Sequence, residues 1–140
     1  MKPRLNIVTL GVKNLLISRK FYQEALAWEA TESSDDNIVF YDQGGIVLGL
    51  YPLEKLAEDA GLSSERSGFS GVTLAINLDS EKAVDDLFQK VMNRGGKELI
   101  APRKTFWGGY DAYFADPDGH PWEIAYNPFA NFDENGNLKI

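Results

Sequence analysis

The sequence predicts an α+β fold built from two similar halves, each running strand, helix, strand, strand, strand. Three observations predict it. The tripeptide Val8-Thr9-Leu10 recurs as Val72-Thr73-Leu74, each copy inside a short alternating segment. A stretch with helical spacing follows both copies. Two turn signals, Gln43-Gly44-Gly45 and Asp116-Pro117-Asp118-Gly119, each lead into a further strand. Strands with one apolar side, and helices to cover that side, make an α+β layout.

In the first half, Leu5 to Val12 alternates with a period of two and reads as a strand. Asn14 is an N-cap candidate, because its side chain can accept from the free N–H groups of the first turn. Leu15 to Leu26 carries Leu15, Ile17, Phe21, Tyr22 and Leu26 at helical spacing. Ala27 to Thr31 reads as a short strand, Asn37 to Asp42 and Ile46 to Tyr51 as two more. Leu53 to Ala60 reads as a short helix that Gly61 stops, and the polar stretch from Leu62 to Gly71 as a mobile connector.

In the second half, Val72 to Leu78 is a strand and Asp79 or Ser80 caps the next helix. That helix carries Ala83, Val84, Leu87, Phe88 and Val91 and ends at Gly95-Gly96. Glu98 to Ile100, Gly109 to Ala115 and Pro121 to Tyr126 complete the strands, with Pro102 to Trp107 a loop or irregular strand between the first two. The polar tail after Asn127 is a frayed hairpin or loose. The organisation is thus one domain over residues 1–140. Module one covers about 4–52, a connector 53–70, module two 71–128 and a tail 129–140.

Composition narrows the function. There is no Cys, which excludes a disulfide framework, a thiolate zinc site and a cysteine nucleophile. The single His, His120, excludes a cage of several histidines. A net charge of −7 argues against nucleic acid as a partner, since phosphate binding comes from clustered Lys and Arg. No apolar run approaches the ~20 residues of a membrane span. Met1-Lys2-Pro3-Arg4 leads into an alternating segment and not a signal-peptide core. A soluble cytoplasmic protein with no membrane partner is expected.

The strand sides turned away from the helices are mixed. They carry Thr9, Gly11, Thr73, Ala75, Asn77, Glu123 and Ala125. Two curved sheets presenting such sides would enclose a cavity rather than a dry core. Glu123 is the most informative residue. Alternation in Trp122-Glu123-Ile124-Ala125-Tyr126 places it opposite the apolar side, where a carboxylate must be hydrated, paired or metal-bound, or it protonates. The plainer reading is an edge-strand Glu in water. Phe106, Trp107, Tyr110, Tyr113 and Phe114 crowd around Gly108-Gly109, and such flat side chains suit the walls of a small-molecule pocket. Core packing with a bulge is the alternative, although alternation forces some of Trp107, Tyr110 and Tyr113 away from the helices. Arg103 and Lys104 read as surface charge that could also hold an anion, and His120 as a structural turn residue.

The doubled plan, Phe21-Tyr22 and Leu26 in the first helical stretch, and the ending Asp116-Pro117-Asp118-Gly119-His120-Pro121-Trp122-Glu123 together resemble the vicinal oxygen chelate superfamily. Its members include glyoxalases, bleomycin resistance proteins and extradiol dioxygenases, and Thr105 to Pro128 is most similar to an uncharacterised glyoxalase-like subgroup. The resemblance implies two tandem βαβββ modules whose mixed sheet forms a U around a cavity, with helices outside, and a homodimer in which modules pair within or across chains. It also implies four metal ligands, one from the first and last strands of each module. Carried onto this chain, those positions are Ile7, Gly49, Gly71 and Glu123. Three of the four offer no donor, so the resemblance implies no resident cofactor, with a divalent metal not expected. Two functions follow. One is metal-free binding of a small molecule, with Thr9, Thr73, Asn77, Trp107, Tyr110, Tyr113 and Glu123 as contacts and a cationic or hydrogen-bonding ligand favoured by the negative field. The other is a glyoxalase-like lyase or isomerase, or another metal-independent enzyme, with Glu123 as catalytic general base.

Overall fold

A computed structural model of the chain describes residues 1–139. It is α+β, with three helices and open sheets of mixed strand direction. The chain divides into two compact units, Met1–Ser70 and Gly71–Ile140.

The first unit begins with β1 (Ile7–Val12) and α1 (Leu15–Ala25), followed by β2 (Val39–Asp42), β3 (Val47–Pro52) and the short α2 (Leu53–Asp59). Asn14 caps α1 as its sequence position implies, its Oδ1 accepting from Ile17 N at 3.0 Å. Ser18, Phe21, Tyr22 and Ala25 are the buried stripe of α1, spaced three and four apart. Ile17, expected on that stripe, is turned to solvent. The sheet runs β1-β3-β2, with β1 parallel to β3 and β2 antiparallel to it. Its tight β2–β3 turn needs left-handed backbone at Gly44 and Gly45 (φ 74° and 120°), and Asp42 Oδ1 holds it by accepting from Gly44 N at 2.8 Å.

The strand expected at Ala27–Thr31 does not form, which leaves this unit one strand short of the anticipated pattern. After the C-cap at Leu26, Ala27 takes a left-handed conformation (φ 57°) and Trp28 N bonds back to Tyr22 O. The Trp28 ring then stacks on Tyr22, with centroids 5.7 Å apart. Burying an indole against the helix outweighs the few ladder bonds a short edge strand would add. Tyr41 completes this cluster. It is fully buried, its hydroxyl donates to Arg19 O, and dehydration pushes its pKa up to about 12.

The second unit runs β4 (Leu74–Leu78), α3 (Glu81–Asn93), β5 (Lys97–Lys104), β6 (Tyr110–Ala115) and β7 (Pro121–Tyr126), then a hairpin of β8 (Asn131–Phe132) and β9 (Leu138–Lys139). Ser80 caps α3 through Ala83 N. The sheet order is β4-β7-β6-β5, with β4 parallel to β7 and the other pairs antiparallel. β5 is longer than the predicted Glu98–Ile100 because it continues through Pro102 with two register shifts. Those bulges absorb a proline that a regular ladder would not take.

α3 buries Val84, Phe88 and Val91 and packs on β6 and β7. The strand residues beneath it are Ala112, Phe114, Trp122 and Ile124, all buried. Phe114 and Trp122 are cross-strand partners whose rings lie nearly parallel, with centroids 6.3 Å apart. Phe114 is 0% exposed. Truncating such a ring costs lost burial plus a cavity. Phe114→Ala is therefore expected to lower stability by about 3–5 kcal/mol in denaturant titration; a loss under about 1 kcal/mol would mean that α3 does not close over this sheet.

Candidate functional site

The face of the second sheet opposite α3 is built by strand alternation. On β7 it carries Glu123 and Ala125, on β6 Asp111 and Tyr113, on β4 Ala75 and Asn77. Register sets them in two rows. Ala75, Glu123 and Tyr113 form one row, and Asn77, Ala125, Asp111 and Arg103 the next. The turn ahead of β7 holds this register. Asp116, itself buried, accepts from the backbone N–H of Asp118 and of His120 at 2.9 Å each, and Gly119 supplies the positive φ of 82°.

Glu123 is half-buried, and the Tyr113 hydroxyl donates to its carboxylate. Dehydration is the main influence on Glu123 and raises its pKa. The Tyr113 bond opposes that, and the charge of Asp111 adds to it. Tyr113 is raised in turn, first by burial and then by Glu123, while Arg103 acts the other way. Asp111 is only 6% exposed. Its Oδ1 accepts from Arg103 Nε at 3.3 Å, so this second carboxylate is paired.

Asn77, Tyr113 and Glu123 thus share one face. Trp107 sits in the β5–β6 loop at its edge and borders a cleft of about 230 Å³ with Arg103, Lys104, Thr105, Phe106 and Asp111. A Cβ at Gly109 would run into the Trp107 ring, so glycine there lets the indole fold over the backbone. Thr105 fastens the loop, its Oγ1 accepting from Gly109 N at 3.0 Å.

Tyr110 does not join this group. It lies on the helix side, where its hydroxyl donates to Asp85 Oδ1 of α3 at 2.8 Å, apart from the other expected ligand contacts of this sheet. Its position is one residue out of phase with Asp111 and Tyr113. Thr73 is exposed and precedes β4. Thr9 belongs to the first unit, where it is half-buried and pairs with Gly49. Sequence reasoning passed over Asp111. The signal was present, since it stands two residues before Tyr113 and so on the same strand face.

The two units also correct the repeat. Asn14 and Ser80 cap the corresponding helices, Thr9 pairs with Gly49, and Ala75 pairs with Glu123. Thr9 therefore corresponds to Ala75, and Ile7 to Thr73 instead of Gly71. The Val-Thr-Leu match is two residues out of structural register. The four candidate metal positions become Ile7, Gly49, Thr73 and Glu123. Ile7 has no donor atom and Thr73 only a neutral hydroxyl. At Gly49 a Cβ would lie 3.3 Å from Thr9 Oγ1 and 3.5 Å from Phe40 Cε1. Among the described residues no three His, Cys, Asp or Glu side chains gather to hold an ion. Phe40 instead borders a shallow hollow of about 630 Å³ in the first unit, with Ile7, Thr31, Ser33, Asp42 and Val47. Among the described residues no helix is long and apolar enough to cross a membrane.

A raised carboxylate pKa means that the folded chain keeps this proton to higher pH than the unfolded chain does. Glu123's contribution to stability is then full below about pH 4.5 and falls as pH rises through the folded value. Gln at this position cannot ionise, and its amide oxygen still accepts from Tyr113. Glu123→Gln is expected to melt above the wild type near about pH 7 and together with it near about pH 4. A wild type that melts higher near neutrality would contradict dehydration as the dominant influence.

The model of the Glyoxalase/Bleomycin resistance protein/Dioxygenase superfamily matches residues 4–124. The fold is similar to that of a glyoxalase-related enzyme from Fulvimarina pelagi, at 33% identity and TM-score 0.91, covering 98% of this chain and 97% of that one. A glyoxalase/bleomycin resistance protein/dioxygenase family enzyme from Burkholderia phytofirmans PsJN aligns at 24% identity and TM-score 0.78, covering 89% of this chain and 98% of that one. Lactoylglutathione lyase from Agrobacterium tumefaciens shares the fold at 17% identity and TM-score 0.70, covering 95% of this chain and 100% of that one. No curated protein matches the chain.

Proposed function

This chain belongs to the glyoxalase/bleomycin resistance protein/dioxygenase superfamily, and on that premise we propose that it binds a small organic molecule on the open face of its second sheet without the catalytic metal of the family's enzymes. The observation that carries this reading is the Tyr113–Glu123 pair, a half-dehydrated carboxylate on the strand face opposite α3, the face whose Asp111 also borders the cleft of Trp107. Catalytic zinc takes three protein ligands, and the corresponding positions offer one carboxylate and a neutral hydroxyl. Glu123 and Asn77 supply an acceptor and an amide for orienting a ligand, and Trp107 supplies a flat apolar surface.

Elemental analysis of the purified chain should find only substoichiometric Ni, Zn, Mn and Fe. A stoichiometric metal that survives chelation overturns the metal-free part. Titration with a set of planar aromatic fragments, followed by amide NMR, should move the signals of Trp107, Tyr113 and Glu123 together. Shifts confined to other surfaces would reject the binding face.

A second reading has its own support. Burial raises the Glu123 pKa and so makes its carboxylate a stronger base, and Asn77 stands one row away as a donor for developing negative charge. Under it, Glu123→Gln abolishes turnover of an acidic C–H substrate and leaves its binding intact; unchanged turnover excludes Glu123 as the base. A homodimer is part of the binding reading, and sedimentation showing a monomer at micromolar concentration would remove it.

A further inference from the structure

We infer that the cleft at the end of this face is an anion subsite, and that the bound molecule is a small planar carboxylate held by Arg103 against Trp107. The inference rests on the proposed binding face and names the chemistry of its ligand. The cleft holds about 230 Å³, lined by Arg103, Lys104, Thr105, Phe106, Trp107 and Asp111. That is below the roughly 300–1,000 Å³ of drug-sized pockets, which limits the occupant to about one substituted ring.

Two features carry it. Asp111 meets Arg103 through Nε, which leaves both terminal amino groups of the guanidinium for another acceptor. Buried Asp111 therefore serves as a positioning residue. It fixes one edge of the guanidinium and presents the other, the edge that meets a carboxylate in a two-bond fork. Lys104, the next residue, pairs with Tyr110 and turns its ammonium to Glu81 of α3, so Arg103 is the cation on this side of the strand. Finally, Phe106 is fully exposed and Trp107 is 38% exposed. Neither ring stacks on another aromatic among the described residues, so both present free faces to a planar group.

The net charge of −7 does not oppose this. Exposed charges act over about 8 Å at physiological salt, so remote carboxylates are screened. Within the cleft, Arg103 balances Asp111 and still has its terminal amino groups to offer an acceptor. The sequence reading favoured a cationic or hydrogen-bonding ligand because it weighed the whole-chain charge; at this end of the face the donors that Arg103 leaves open decide instead.

The test is amide and side-chain NMR of the full chain titrated with benzoate, benzamide and benzylamine. Benzoate should shift the Trp107 indole N–H and the Arg103 Nε–H saturably. It should bind about tenfold more tightly than benzamide, the worth of one charge-assisted hydrogen bond, and weaken with added salt. Arg103→Lys keeps the charge but loses the fork and should weaken benzoate binding several-fold, whereas Lys104→Gln, whose ammonium faces α3, should leave it unchanged; if the Arg103 variant fails to fold, the comparison of ligands on the native chain decides. Equal binding of benzoate and benzamide, or tighter binding of benzylamine, overturns the anion subsite and leaves the small-molecule face standing. If none of the three moves residues 103–113, both fall.

Discussion

Everything on the open face depends on the cross-strand pair of Tyr113 and Glu123. Their register places a phenol opposite a carboxylate on adjacent antiparallel strands. The carboxylate has lost part of its water, which costs free energy, and the phenol returns one hydrogen bond. The same pairing determines which residues face α3. Phe114 and Trp122, the next pair along, stack beneath that helix. A slip of one residue would exchange the two sets and put Glu123 under α3. Core packing of the second unit and the placement of its polar face are therefore one constraint.

A second carboxylate so close needs its own compensation. Asp111 stands two residues from Tyr113 on the same strand face, is nearly fully buried, and its charge pushes the Glu123 pKa upward. Arg103 supplies the compensation from β5. It reaches Asp111 because the β5 bulges let that strand continue past Pro102 and still pair with Asp111 and Tyr110. The irregular strand is thus what makes a buried acid on this face tolerable, and it also brings a guanidinium beside Trp107.

Much of this was legible in the sequence where local signals agreed. Asn14 and Ser80 cap the helices as their positions imply, and β7 spans the predicted Pro121–Tyr126. Alternation alone assigned Glu123 to the face opposite Trp122. Two things were hidden by long-range effects. The strand expected at Ala27–Thr31 lost to stacking of Trp28 on Tyr22, a contact that local propensity does not register. The bulges in β5 concealed the pairing of Arg103 with Asp111, since period-two counting stops at a register shift. Tyr110 stands apart from the other expected contacts for a simpler reason. Aromatic crowding around Gly108-Gly109 suggested a pocket wall, but one step of alternation turns Tyr110 toward Asp85 of α3.

The repeat corrected by structural register sharpens what separates the two units. Gly49 and Glu123 occupy matching places on matching strands, opposite Thr9 and Ala75. In the first unit, the space a side chain at 49 would use is bounded by the Thr9 hydroxyl and the Phe40 ring. In the second, the matching place holds a carboxylate with tyrosine as its partner. A sheet needing only packing would be served as well by Gln at that place, without the dehydration that raises the Glu123 pKa. Local rules are broken where a site uses the departure, and the second unit departs from them at Glu123 and again at buried Asp111. Both departures lie on one face, the face that ends in the cleft beside Trp107.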